Sequence, residues 1–152
     1  PQMSSDAESL RTSLAELGFD VVRFTSLPKE VPGAPAFSEW LQAGHHADMA
    51  WLERSEPKRL DPQLVLPGAR SIILLGVNYG DAEQPGEGPI WARYARYQDY
   101  HDTIKPALAA AGKQIEAWAG CEPADYRYYV DTGPILERSW AARAGVGFVI
   151  RE

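Results

Sequence analysis

The apolar positions along the chain recur at two spacings, and the spacings predict a succession of helices and strands. Leu10, Leu14 and Leu17 share one helical face, Ser5 and Glu8 have the spacing of a capping box ahead of them, and Gly18 stops the helix. Residues 19–24 read as a strand. The proline-rich residues 28–35 form a loop into short helices over 37–42 and 48–54, and Pro57, Pro62 and Pro67 punctuate the crossing that follows. Residues 71–77 are a continuous apolar run rich in branched side chains, too short for a typical helix, and read as a central strand buried on both faces. Residues 81–89 form a polar loop and residues 90–94 another strand. A long amphipathic helix is predicted over 102–119, with Pro106 tolerated in its first turn. The chain closes as strand 126–130, helix 134–144 ended by Gly145, and strand 146–150. This alternation predicts a layered α/β sandwich formed by a single domain over residues 1–152, with strand order left open.

Composition narrows the picture. A chain of 152 residues, 45% hydrophobic and with five Trp, can bury a sizeable core. A formal charge of −6 argues against a broad nucleic-acid-binding surface, because phosphate contacts depend on clusters of Lys and Arg. One cysteine, Cys121, excludes an internal disulfide framework and fits a reducing cytoplasm. No apolar run is long enough to span a bilayer, and the first residues lack the basic and apolar regions of a signal peptide. A glycine-rich phosphate loop is absent, so nucleotide cradling of the Rossmann or P-loop kind has no support.

Candidate chemistry concentrates in two places. Asp131 follows the strand-like Tyr128-Tyr129-Val130 and precedes Thr132-Gly133-Pro134, so it stands where a strand hands over to a helix. Such junctions face the crevice in which open α/β sheets hold ligands, and they are equally places where an Asp caps a helix; the pattern alone allows both. The second place is Trp91-Ala92-Arg93-Tyr94-Ala95-Arg96-Tyr97-Gln98-Asp99-Tyr100-His101, with two guanidinium groups, three phenols, an indole and an imidazole. Arg offers a planar fork to amides and phosphates, and aromatic faces cover apolar rings. The adjacent His45 and His46 point in different directions on any regular element and have no partners at metal-ligand spacing, so no metal site is assigned and His46 reads as structural or solvent exposed. Cys121 reads as a residue at a helix end, without a base to activate it.

The Asp131 segment, from Val130 through Glu137-Arg138 to Gly145-Val146-Gly147-Phe148, resembles the N-terminal region of epoxyqueuosine reductases, cobalamin- and iron–sulfur-dependent oxidoreductases of queuosine biosynthesis in tRNA. Four more blocks match in order: Gly44 through Trp51-Leu52-Glu53-Arg54, Lys58-Arg59-Leu60-Asp61-Pro62, Leu66-Pro67-Gly68-Ala69-Arg70-Ser71-Ile72, and Ala92-Arg93-Tyr94-Ala95-Arg96 with Asp99-Tyr100-His101-Asp102. Two positions depart from the family pattern. His45 replaces a frequent aromatic, and Val149-Ile150-Arg151-Glu152 stands where a Lys and Asn usually follow.

The resemblance implies a fold similar to the nitroreductase-like corrinoid-binding domains of reductive dehalogenases and the corrinoid-processing chaperone. It implies Asp131 as the proton donor to the departing epoxide oxygen, and Arg59, Ala92, Arg93 and His101 beside cobalamin, with Arg138 holding cofactor or substrate. It further implies a tRNA substrate bound through the full-length enzyme, a cytoplasmic monomer, and an iron–sulfur domain outside this chain, since a four-iron cluster needs about four thiolates and Cys121 is alone. Two other readings are a corrinoid-binding module without reductase activity and a flavin-binding nitroreductase-like protein.

Overall fold

The computed structural model describes residues 5–80 and 92–148, apart from the side chains of Ser5 and Arg93. The expected Ser5 cap, the loop over 81–89, the first two residues of the strand over 90–94, and Val149 with Ile150 lie outside the described residues. The chain divides into two compact units, residues 1–22 with 75–121 and residues 23–74 with 122–152.

In the first unit, α1 (Ser5–Ala15) packs on α4 (Tyr100–Ala119). Leu10 and Leu14 are buried, as their one-face spacing requires, and Leu108 and Ala111 are buried on α4. The indole N–H of Trp118 donates to the carbonyl of Asp6 at 2.8 Å. Helix α4 begins two residues before the expected start, because the Asp99 side chain accepts the backbone N–H of His101 and caps it there. Pro106 is therefore the seventh residue of the helix and lies beyond its first turn. Gly120, left-handed at φ 65°, ends the helix.

In the second unit, α2 (Ala34–Gln42) packs on α3 (Ala50–Leu60), which starts two residues later and ends six residues later than the pattern over 48–54 predicts, running through Pro57. Asp61 then accepts the N–H of Gln63 and starts a single 3₁₀ turn, Pro62–Leu64. Helix α5 (Glu137–Arg143) starts three residues later than expected; Pro134 stands in the bend before it, and Gly145, at φ 76°, closes it as predicted. Leu41, Leu52 and Trp140 form buried points of this unit, Trp140 being 1% exposed.

The strands depart most from expectation. β1 (Val21–Ser26) and β2 (Ser71–Gly76) pair in a two-stranded sheet. The Leu27 N–H donates to the Arg70 carbonyl at one end, and Gly76 abuts Val21 at the other, a register that runs antiparallel. The architecture is mixed helix and strand with a small sheet. β2 has one strand neighbour among the described residues and is half-buried along most of its length, where the apolar run predicts burial on both faces. Arg93–Arg96 winds into a 3₁₀ turn, and residues 126–129 join no ladder among the described residues, nor do 146–148. A strand exists only with a hydrogen-bonded neighbour, and side-chain pattern does not supply one.

Candidate functional site

The bend before α5 places the first candidate. Asp131 has φ 55°, a left-handed conformation uncommon outside glycine and most accessible to Asp and Asn. Its side chain is exposed. Two contacts hold this bend. Gly133 is buried, and a Cβ there would collide with the ring of Tyr129, so only glycine lets that ring close over the turn. The Asp131 N–H donates to Oε1 of Glu137 at 3.1 Å.

Glu137 is half-buried in the first turn of α5, and burial pushes its carboxyl up, with the nearby Asp131 charge adding to the rise. The Asp131 N–H and the Arg59 charge act in the opposite sense. Arg59, from the last turn of α3, reaches the Ile135 carbonyl through Nη1 at 2.8 Å and Ser55 Oγ through Nε at 2.9 Å. Its guanidinium carbon lies 5.5 Å from the Trp51 ring centroid and 5.9 Å from that of Phe37, within cation–π range. Burial lowers its pKa from the ordinary arginine value, and Glu137 partly restores it. Arg59, Glu137 and Asp131 thus form one electrostatically linked group, with Nη2 of Arg59 making no hydrogen bond among the described residues. Glu137 is the member that sequence reasoning passed over. Arg138, the neighbour it singled out, is exposed on α5.

The other candidates belong to the first unit. Ala92 is exposed ahead of the 3₁₀ turn, whose first residue is Arg93. His101 stacks on Tyr100 with ring centroids 4.2 Å apart, and its Nδ1 lies 2.7 Å from Oδ1 of Asp99. The Asp99 carboxyl is held below its ordinary range, first by the backbone N–H of His101 and then by the His101 ring. A carboxylate on Nδ1 fixes the imidazole's orientation and leaves Nε2 without a hydrogen bond among the described residues. Tyr94, 59% exposed, meets Tyr100 edge-on.

His46 is buried, with Nε2 at 2.8 Å from Glu53 Oε1 and its ring against Trp40, which makes it structural. Among the described residues no group of His, Cys, Asp or Glu is arranged to hold a metal ion, and no helix is long and apolar enough to cross a membrane.

Comparison with known proteins is consistent across sequence and fold. A family model described as epoxyqueuosine reductase QueG, DUF1730, matches residues 59–132. The epoxyqueuosine reductase of Synechococcus sp. (strain CC9605) is 35% identical over 158 residues, covering 97% of this chain and 46% of that protein. That of Synechocystis sp. (strain ATCC 27184) is 42% identical over 122 residues, covering 76% of this chain and 40% of the relative. A crystal structure of selenomethionine-labelled epoxyqueuosine reductase superposes with a TM-score of 0.70 at 25% identity, over 93% of this chain and 39% of that one. The chain spans less than half the length of these relatives.

Proposed function

This chain belongs to the epoxyqueuosine reductase family, and on that premise we propose that it is the cobalamin- and substrate-binding part of an oxidoreductase that converts epoxyqueuosine in tRNA to queuosine. The observation that carries the reading is the exposed Asp131 carboxyl on a bend held by Gly133 and Glu137. A proton donor needs this combination of a fixed backbone and an accessible acid. In the reaction Asp131 holds a proton on its carboxyl oxygen and delivers it to the epoxide oxygen as the C–O bond breaks.

The residues present suit a large, amide-rimmed macrocycle in kind. Arg59 Nη2 and His101 Nε2 are uncommitted among the described residues, and Ala92 and Tyr94 are exposed. We assign Arg59, Ala92, Arg93, His101 and Arg138 to holding it, as the family resemblance implies. When bound, cobalamin supplies the electrons for the epoxide. Iron–sulfur chemistry falls to a part of the enzyme outside this chain, whose one cysteine cannot furnish a cluster's thiolates. The tRNA is bound by the full-length enzyme, which we place in the cytoplasm as a monomer, and residues 1–152 act as one α/β domain of the nitroreductase-like kind.

Asp131→Asn in the complete reductase tests this. The variant keeps the side-chain shape and should retain cobalamin while turnover falls by roughly 10²–10⁴-fold. Near-normal turnover with cofactors fully loaded would reduce Asp131 to a turn residue and end the proton-donor reading.

A further inference from the structure

The conformation of Asp131 needs a cause, because a left-handed residue with a side chain is disfavoured unless its surroundings enforce it. Helix α5 has no side-chain cap at Leu136, and the carboxylate best placed to serve its own first turn, Glu137, is used elsewhere. It reaches back six residues to accept the Asp131 N–H at 3.1 Å. Two residues from Glu137, the carbonyl of Ile135 is tied to the Arg59 guanidinium at 2.8 Å, and that guanidinium is itself anchored by Ser55 and lies near the Trp51 and Phe37 rings. The bend is therefore held at Asp131 by Glu137 and at Ile135 from α3. All of these residues belong to the unit formed by 23–74 and 122–152.

We propose that Glu137 is a positioning residue for Asp131: by clamping the Asp131 N–H it holds φ left-handed and so sets the direction in which the Asp131 carboxyl leaves the chain, with Arg59 anchoring the clamp through Ile135. Backbone φ determines where Cβ points, so a relaxed bend would carry the carboxyl away even with its acidity intact. A misplacement of about 1 Å is enough to cost about 10²-fold in rate. The inference rests on the reading of Asp131 as proton donor.

The test has two readouts. In this chain, amide hydrogen exchange of Asp131, referred to the Trp140 amide of α5, should quicken by about tenfold or more in Glu137→Ala and stay within about threefold of wild type in Glu137→Gln, which keeps an acceptor oxygen. The coupling between the Asp131 amide and α protons should report loss of the left-handed φ in the Ala variant alone. Glu137→Met, similar in length and without an acceptor oxygen, gives the same comparison if the Ala variant does not fold. In the complete reductase, Glu137→Ala should lower kcat by about tenfold or more with KM for tRNA within about twofold, and Gln should restore most of it. Unchanged Asp131 exchange in the Ala and Met variants overturns the clamp. An inactive Asp131→Asn beside a Glu137→Ala of normal kcat overturns the positioning role alone, whereas an active Asp131→Asn overturns the proton-donor reading and this role with it.

Discussion

Glu137 and Arg59 have their effects by being partly removed from water next to each other, and both effects are measurable. Burial raises the Glu137 carboxyl above the ordinary 4.5, so the folded state favours its protonated form. A raised carboxyl contributes stability that is complete below its unfolded pKa and is lost as pH rises through the folded one. Between about pH 4 and pH 7, urea unfolding should therefore show wild type losing stability relative to Glu137→Gln, and a difference that stays flat or moves the other way contradicts the burial. Arg59→Ala should cost about 1.5–3 kcal/mol in the same experiment, because the Ile135 carbonyl loses a charged donor. Arg59→Lys should not recover it, since an ammonium cannot span Ser55 and Ile135 as a planar fork while lying close to two rings. The sequence named Asp131 and Arg59. It gave no sign of Glu137, because the left-handed turn at Asp131 that brings the two within hydrogen-bond reach is invisible to periodicity.

Helices repeat their hydrogen bonds within a few residues, so their pattern in the sequence carries most of what forms them. Helix α1 with Leu10 and Leu14 inward, the end of α4 at Ala119, and α5 closed by Gly145 were all legible for that reason. The starts of α4 and α5 were not, because Asp99 and not Asp102 begins α4, and the Asp131 bend delays α5 from Pro134 to Glu137. The earlier start makes Pro106 an interior proline, whose ring crowds the carbonyl four residues back and which donates no hydrogen bond. Pro106→Ala should then stabilise the protein by about 1 kcal/mol, less than the interior penalty of about 3 kcal/mol because the unfolded chain also becomes freer. A lower thermal midpoint for this variant would show that the proline suits its turn.

At the scale of the whole molecule, the formal charge of −6 bears on the proposed tRNA substrate. Neutralising phosphates releases counterions, and a surface with few clustered cations gains little from it. This chain alone should bind tRNA at least about tenfold more weakly than the complete reductase, with a shallower dependence of log Kd on log salt concentration. Fluorescence anisotropy against a labelled tRNA at several salt concentrations checks both parts. Equal affinity and slope would place the RNA-binding surface within these residues.

The sequence by itself determined the helices, their inward faces, the glycines that end them, the family, and the identity of Asp131, Arg59 and His101 as residues to examine. These depend on local spacing or on ordered motifs, both of which are written along the chain. Tertiary structure decided which runs became strands: β1 and β2 found each other, while 126–129, no less rich in strand-forming residues, did not pair among the described residues, and Arg93–Arg96 wound into a 3₁₀ turn. It also decided that a glutamate six residues away would hold the backbone of Asp131, and that an arginine 76 residues from Ile135 would fix the bend. Ladder partners and long-range hydrogen bonds depend on where distant segments meet, and local periodicity does not encode those meetings.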